Sequence, residues 1–202
     1  MKTILFEKRK IAPSKIVCIG RNYIEHIREL NNEIPSSMVI FNKPNSSIST
    51  TLHDISDDCH FEAEISFLIQ DNKIKGVGFG LDLTKRDLQS KLKSKSLPWE
   101  RAKAFDNSAV FGKFVSYSGN FNELSMKLFI NDRLIQLAKY EMMIYKPNEI
   151  LKEIQSFMSL YDGDIIMSGT PKGVGRYKKG DIFRGEIFQN DKLLIKSLFE
   201  VE

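Results

Sequence analysis

The sequence predicts an α+β fold made mostly of strands. Short apolar or alternating runs of strand type outnumber helical ones, and the helices do not alternate regularly with them as a doubly wound sheet requires. No repeat, low-complexity block or linker-like stretch divides the 202 residues, so 1–202 reads as a single domain.

Residues 16–19 form a short apolar run ending at Gly20, and residues 23–30 carry apolar side chains at helical spacing. Residues 38–41 read as a strand stopped before Lys43-Pro44. Residues 61–69 alternate Phe61, Ala63, Ile65, Phe67 and Ile69 against Glu62, Glu64, Ser66 and Leu68, the pattern of a half-buried strand with an acidic start on its other face. Residues 76–83 read as a strand whose glycines mark close backbone approach. Residues 83–94 read as an amphipathic helix with Thr84 as N-cap and Asp87 at its third position. Asn131-Asp132 between residues 127–130 and 133–137 signals a hairpin, and residues 148–159 a helix behind Pro147. From Asp164 onward the chain reads as strands and turns: 165–167, 182–183, 186–188 and 193–201.

Hydrophobic residues make up 42% and charged residues 28%, a composition able to bury a core. No apolar run reaches transmembrane length, and the N-terminus meets charge too early for a signal peptide, so no membrane partner is expected. Cys18 and Cys59 form no metal or disulfide spacing, which points to a reduced, cytoplasmic setting. The net charge of +4 comes from 30 Lys+Arg offset by 26 Asp+Glu along the whole chain. Without a recognition motif, the basic runs at 91–95 and 176–179 read as solvated faces rather than nucleic-acid contacts.

Four motifs carry chemistry. On a strand, Glu62 and Glu64 share a face about 7 Å apart, so solvent, a basic side chain or a cation must offset their repulsion. Alone, such a pair is an ordinary solvated face. Asp82 ends the glycine-flanked strand and offers a third carboxylate, or merely precedes the next helix. His26 and Glu29, three apart, share a helical face either as a general-base pair or as a polar stripe. In 168–175, Ser-Gly-Thr-Pro-Lys-Gly-Val-Gly forces an irregular turn whose N–H groups can hold an anion; it lacks the P-loop spacing.

In this order the motifs resemble the fumarylacetoacetate hydrolase family, and within it the short acylpyruvate hydrolase and oxaloacetate decarboxylase branch. The resemblance spans residues 16–185. Its markers are Cys18-Ile19-Gly20-Arg21-Asn22-Tyr23 with His26 and Glu29, Phe41-Asn42-Lys43-Pro44, His60-Phe61-Glu62-Ala63-Glu64, residues 81–89 from Leu81-Asp82 to Gln89, Leu97-Pro98-Trp99 leading to Ala102-Lys103, and residues 163–175.

The resemblance implies a mixed β-sandwich roll with flanking helices, usually a homodimer. It implies Glu62, Glu64 and Asp82 as ligands of Mg²⁺ or Mn²⁺, Lys103 in the same site, and His26 with Glu29 as the pair that activates water. Arg21, Gln89 and Thr170 would contact the substrate. The expected activity is divalent-metal-dependent C–C bond hydrolysis or decarboxylation of a short 2-oxo acid, an acylpyruvate or oxaloacetate. In that chemistry a cation stabilises the developing enolate.

A second reading keeps the metal but makes the enzyme an isomerase, hydratase or tautomerase of 2-oxo dicarboxylic acids in aromatic catabolism, with His26 less essential. A third, a basic binding protein without metal, fits the spread of acids least. The chain departs from the family pattern at Ile135, where Arg is usual, at Tyr140-Glu141-Met142, where small hydroxyl residues are usual, and at Ala104, where Ser is usual. These departures fall where the substrate's tail is read.

Overall fold

The computed structural model describes residues 1–202. Apolar alternation draws most of the chain into three sheets. The largest has nine strands, in the order Arg9–Ile11, Ile4–Phe6, Ala109–Ser116, Lys73–Asp82, Ala63–Gln70, Ile165–Met167, Lys15–Gly20 and Val39–Pro44, with Ile48–Ser49 beside Ala109–Ser116. It is mixed: Ile165–Met167 runs parallel to Lys15–Gly20 and antiparallel to Ala63–Gln70. A second, antiparallel sheet has the order Arg133–Lys139, Leu124–Ile130, Ile182–Gln189, Lys192–Glu200. The short strands Gly175–Arg176, Cys59–Phe61 and Thr84–Lys85 form the third. Four helices complete the fold: α1 (Ile24–Glu29), α2 (Arg86–Ser94), α3 (Glu100–Lys103) and α4 (Pro147–Phe157). This is the α+β arrangement that the strand-rich sequence predicts.

The main core joins the large sheet to the four-stranded one. Phe61 meets Phe183 edge-on at 5.3 Å, and the ring of Phe79 lies so close to Gly185 that a Cβ there would come within 2.4 Å of it. A second apolar cluster, including Ile16, Cys18, Leu68, Phe111, Phe114 and Met167, covers the other face of the large sheet. The strand Ala63–Gln70 is therefore buried on both faces, not half-buried as its alternation predicts. Alternation reports which residues share a face; it does not report what covers that face.

The two-residue turn Asp71-Asn72 joins Ala63–Gln70 to Lys73–Asp82, with positive φ at both positions, as a tight hairpin requires. Asn131-Asp132 does the same for the predicted hairpin of the smaller sheet. Several expected boundaries move. Val39–Pro44 continues through Lys43-Pro44, because it is the edge strand and proline's missing N–H costs no ladder bond there. Pro147 is the first residue of α4 rather than its flank. Thr84 does not cap α2: it lies in a short strand, Lys85 precedes the helix without a side-chain cap, and the Thr84 hydroxyl is taken up by Lys103. The strands Ile4–Phe6, Arg9–Ile11 and Ala109–Ser116 and the single-turn α3 are additions to the elements read from sequence.

Candidate metal and active site

Strand register assembles the acidic cluster. The hairpin pairs Ala63 with Leu81 and Glu64 with Gly80, which sets Glu62 across from Asp82; the Asp82 N–H donates to the Glu62 carbonyl at 2.8 Å. Opposite Glu64 only glycine fits at 80, where a Cβ would lie 2.6 Å from Ser66 Oγ and 2.8 Å from the Phe111 ring. The three carboxylates bring ligand atoms within 4.8 Å of one another, and all three residues are buried.

Basic groups hold two of the three. Lys103 Nζ, at the end of α3, donates to Glu62 Oε2 at 2.8 Å, Asp82 Oδ2 at 2.7 Å and Thr84 Oγ1 at 2.6 Å. Burial opposes its charge, but Asp82 and Glu62 prevail and push Lys103 up to about 12. Arg86, which opens α2, pairs with Glu62 Oε1. Burial likewise opposes the charge on Glu62, yet Lys103 and Arg86 hold its carboxyl well below the usual range.

Lys43, fully buried, lies 2.8 Å from Asp82 Oδ1, but its protons point to the carbonyls of Leu83, Lys103 and Ser108. Asp82 Oδ1 thus has a charge beside it and no directed hydrogen bond. Glu64 has no cationic partner. Burial and the charges of Asp82 and Glu62 push its carboxyl well above the usual range, against a 2.7 Å bond from the Gly169 N–H.

A cluster of carboxylate oxygens that is buried, partly unsatisfied and repelling internally fits a hard divalent cation such as Mg²⁺ or Mn²⁺. The donor set contains no sulfur or imidazole, which argues against a softer metal.

The glycine-rich loop closes one side. Gly169 has φ +95°, and a Cβ there would lie 2.8 Å from Asn22 Cβ, so only glycine brings its N–H to Glu64. Asn22, fully buried, donates to Ser168 O at 2.8 Å and Tyr145 O at 3.0 Å, fastening the loop to the start of α1. The Thr170 hydroxyl donates to Ala63 O and accepts from Gln136 Nε2, both at 2.9 Å. His26 Nδ1 is 3.0 Å from Glu29 Oε2, and Glu29 Oε1 accepts from the Gly173 N–H at 2.9 Å, so the pair is tied to the same loop.

One cavity of about 40 Å³ gathers Arg21, His26, Glu62, Glu64, Asp82, Gln89, Lys103 and Thr170 on its walls. Every residue singled out from the sequence lines it except Glu29, which reaches it through His26. Gln89 accepts from Arg86 Nη1 at 2.9 Å. In the sequence Lys43 and Arg86 stand only inside family markers and Lys93 inside a basic run, with no role read for any of the three. Their signals were faint: Arg86 and Lys93 lie three before and four after Gln89, so all three share one face of α2.

The family model for the fumarylacetoacetate (FAA) hydrolase C-terminal domain matches residues 15–195, and the chain belongs to that family. It is 34% identical to a mitochondrial oxaloacetate tautomerase of Saccharomyces cerevisiae, over 95% of this chain and 93% of that one. It is 33% identical to an oxaloacetate tautomerase of Escherichia coli, over 83% and 85%. A fumarylpyruvate hydrolase of Pseudomonas aeruginosa, solved in complex with Mn²⁺ and pyruvate, superposes with a TM-score of 0.88 at 25% identity, covering 99% of this chain and 95% of that one.

One expectation is corrected by these relatives. The cytoplasmic setting read from cysteine usage is not upheld, because several eukaryotic relatives, from yeasts, a slime mould and plants, are named mitochondrial. Reduced thiols do not distinguish the two compartments. No helix is long and apolar enough to cross a membrane.

Proposed function

We propose that this chain is a Mg²⁺- or Mn²⁺-dependent enzyme that forms and reprotonates the enolate of a short 2-oxo acid, with oxaloacetate as substrate and keto–enol tautomerisation as its main reaction. The observation that carries the reading is the convergence of Glu62, Glu64 and Asp82 on one point beside Lys103. The tautomerase names of relatives aligned over most of their length agree with it.

Glu62, Glu64 and Asp82 would hold the cation, which supplies positive charge for the enolate oxygen. Lys103 now spends its three ammonium protons on Glu62, Asp82 and Thr84. With a cation held by those carboxylates, Lys103 would have protons free for the substrate's C2 oxygen. In the keto-to-enol direction a proton leaves C3 and one arrives on that oxygen; the reverse restores both. With Nδ1–H given to Glu29, His26 keeps Nε2 as an acceptor for the C3 proton. Arg21 and Gln89 orient the carboxylates, and the Gly169–Gly173 loop, with Thr170, closes the site from the side of Glu64.

The test follows enol decay and pyruvate release separately, from oxaloacetate with added Mg²⁺ or Mn²⁺. Faster keto–enol equilibration at the purified protein supports the reading. Failure to accelerate either process overturns it.

A second reading, C–C bond hydrolysis of an acylpyruvate, is favoured by one observation, the His26–Glu29 pair fastened to Gly173. Such a pair suits the activation of water. Acetylpyruvate cleavage that exceeds tautomerase turnover would favour it.

A further inference from the structure

Arg86, Gln89 and Lys93 stand on one face of α2 and all line the cavity, but they are not alike in their partners. Arg86 is paired with Glu62. Lys93 has no carboxylate and no hydrogen-bond acceptor; its ammonium lies over the Trp99 ring, 4.8 Å from the centroid. Arg21 lines the same cavity from the end of Lys15–Gly20, held there by a left-handed backbone (φ 57°). It too lacks a carboxylate: it reaches only Asn32 Oδ1 at 3.2 Å and Glu33 O at 3.4 Å, and its buried Nε has no partner.

Four cationic side chains, Arg21, Arg86, Lys93 and Lys103, thus face three carboxylates on the cavity wall. A divalent cation would raise that positive excess from one to three, which a dianion offsets further than a monoanion. Burial, then the charges of Arg21, Arg86 and Lys103, push Lys93 down to about 8, so positive potential concentrates at its position.

We infer that Lys93 and Arg21 form the seat of a second, distal carboxylate, making Lys93 a specificity residue that selects short dicarboxylic 2-oxo acids over acylpyruvates with uncharged tails. The inference rests on the proposed 2-oxo acid chemistry for its substrate class, but the seat itself can be read by binding alone.

Malate and lactate are 2-hydroxy acids that differ by a distal carboxylate in place of a methyl hydrogen. Calorimetric titration of the Mn²⁺-loaded wild type should give malate the tighter binding by roughly tenfold or more, the scale of a charge-assisted contact. Lys93→Met keeps the aliphatic stem over Trp99 and should bring that ratio close to one, while Lys93→Arg should restore it. In turnover, Lys93→Met should raise the KM for oxaloacetate about tenfold more than the KM for acetylpyruvate.

Equal wild-type affinity for malate and lactate overturns the inference without reference to any variant. A Lys93→Met protein that keeps the wild-type ratio overturns it as well, and leaves Lys93 as a packing residue on Trp99. If neither 2-oxo acid is turned over but the malate preference exists and depends on Lys93, the anion seat stands and the proposed reaction falls.

Discussion

Asp82, the last residue of Lys73–Asp82, and Glu62, just before Ala63–Gln70, face each other, joined by one backbone hydrogen bond of 2.8 Å. Their carboxylates therefore meet without any loop having to order itself. Asp82→Asn or Glu64→Gln should lower Mn²⁺ affinity by at least about a hundredfold, since even partners of ligands typically cost ten- to a hundredfold. Titration followed by the Mn²⁺ spin-resonance signal checks this. In the wild type, Mn²⁺ at about a hundred times its dissociation constant should add about 2.7 kcal/mol of stability, read from thermal melts.

Lys43 is a structural cation. It is fully buried, contacts Asp82 and serves the carbonyls of Leu83, Lys103 and Ser108. Lys43→Met would leave those carbonyls without their donor and Asp82 without the charge beside it, a loss of about 3–5 kcal/mol in urea unfolding. The same variant should displace Lys103 and so weaken metal binding, measured on the folded fraction.

His26 separates the two proposed reactions. His26→Ala should reduce acylpyruvate cleavage by roughly a hundredfold or more, the usual contribution of a positioned base. Tautomerisation should fall less, because the acidic C3 proton of oxaloacetate can also leave to solvent water while Lys103 supplies the proton for the C2 oxygen, whereas attack of water on an acylpyruvate has no substitute base. Comparing kcat for the two substrates in one variant checks this. Equal losses would mean that His26 is as indispensable to tautomerisation as to hydrolysis.

Asp164 sets a pH dependence of stability. Its carboxylate is buried and accepts from Ser14 N and Oγ, Lys15 N and Nζ, and Tyr161 N, fixing the start of Ile165–Met167 to its parallel neighbour Lys15–Gly20. Burial works against that charge, but the hydrogen bonds prevail and hold its carboxyl below the usual range. A depressed folded-state value stabilises the fold above the ordinary carboxylate range, and that contribution disappears as pH falls through the lowered value. Asp164→Asn should therefore cost about 1–3 kcal/mol near neutrality and progressively less in acid, seen as converging melting curves.

Gly185 tests the packing between the sheets. A Cβ at this position would sit 2.4 Å from the Phe79 ring. Gly185→Ala should cost about 1–3 kcal/mol in denaturant titration with little change in metal affinity, since it pushes on the core and not on the acidic cluster.

Much of this was legible in the sequence, for identifiable reasons. Asn131-Asp132 encodes a hairpin locally, and the fully apolar run Ile165-Ile166-Met167 can hardly be anything but a buried strand. The set Glu62, Glu64, Asp82 and Lys103 was readable through motif order, not through spacing. Burial of the Glu62 face was hidden, because it depends on Phe111, Phe114 and Ile16, which are far away in the chain. Thr84 looked like a cap because caps are local, whereas its real partner is Lys103 on a later helix. The seat of Lys93 could not be seen either: a lysine on an amphipathic helix looks solvated until Trp99 and Arg21 are placed beside it.

The turn Asp71-Asn72 lies at the far end of the two strands that carry Glu62 and Asp82, and it touches neither residue. Even so, together with the register shift between Leu68 and Ile69, it sets which residues of the two strands meet. Adding or removing one residue there would slide one strand past the other, exchange inward and outward side chains, and part the carboxylates. In most proteins a surface turn is where length varies freely; here its length bears on the spacing of two buried carboxylates a full strand away.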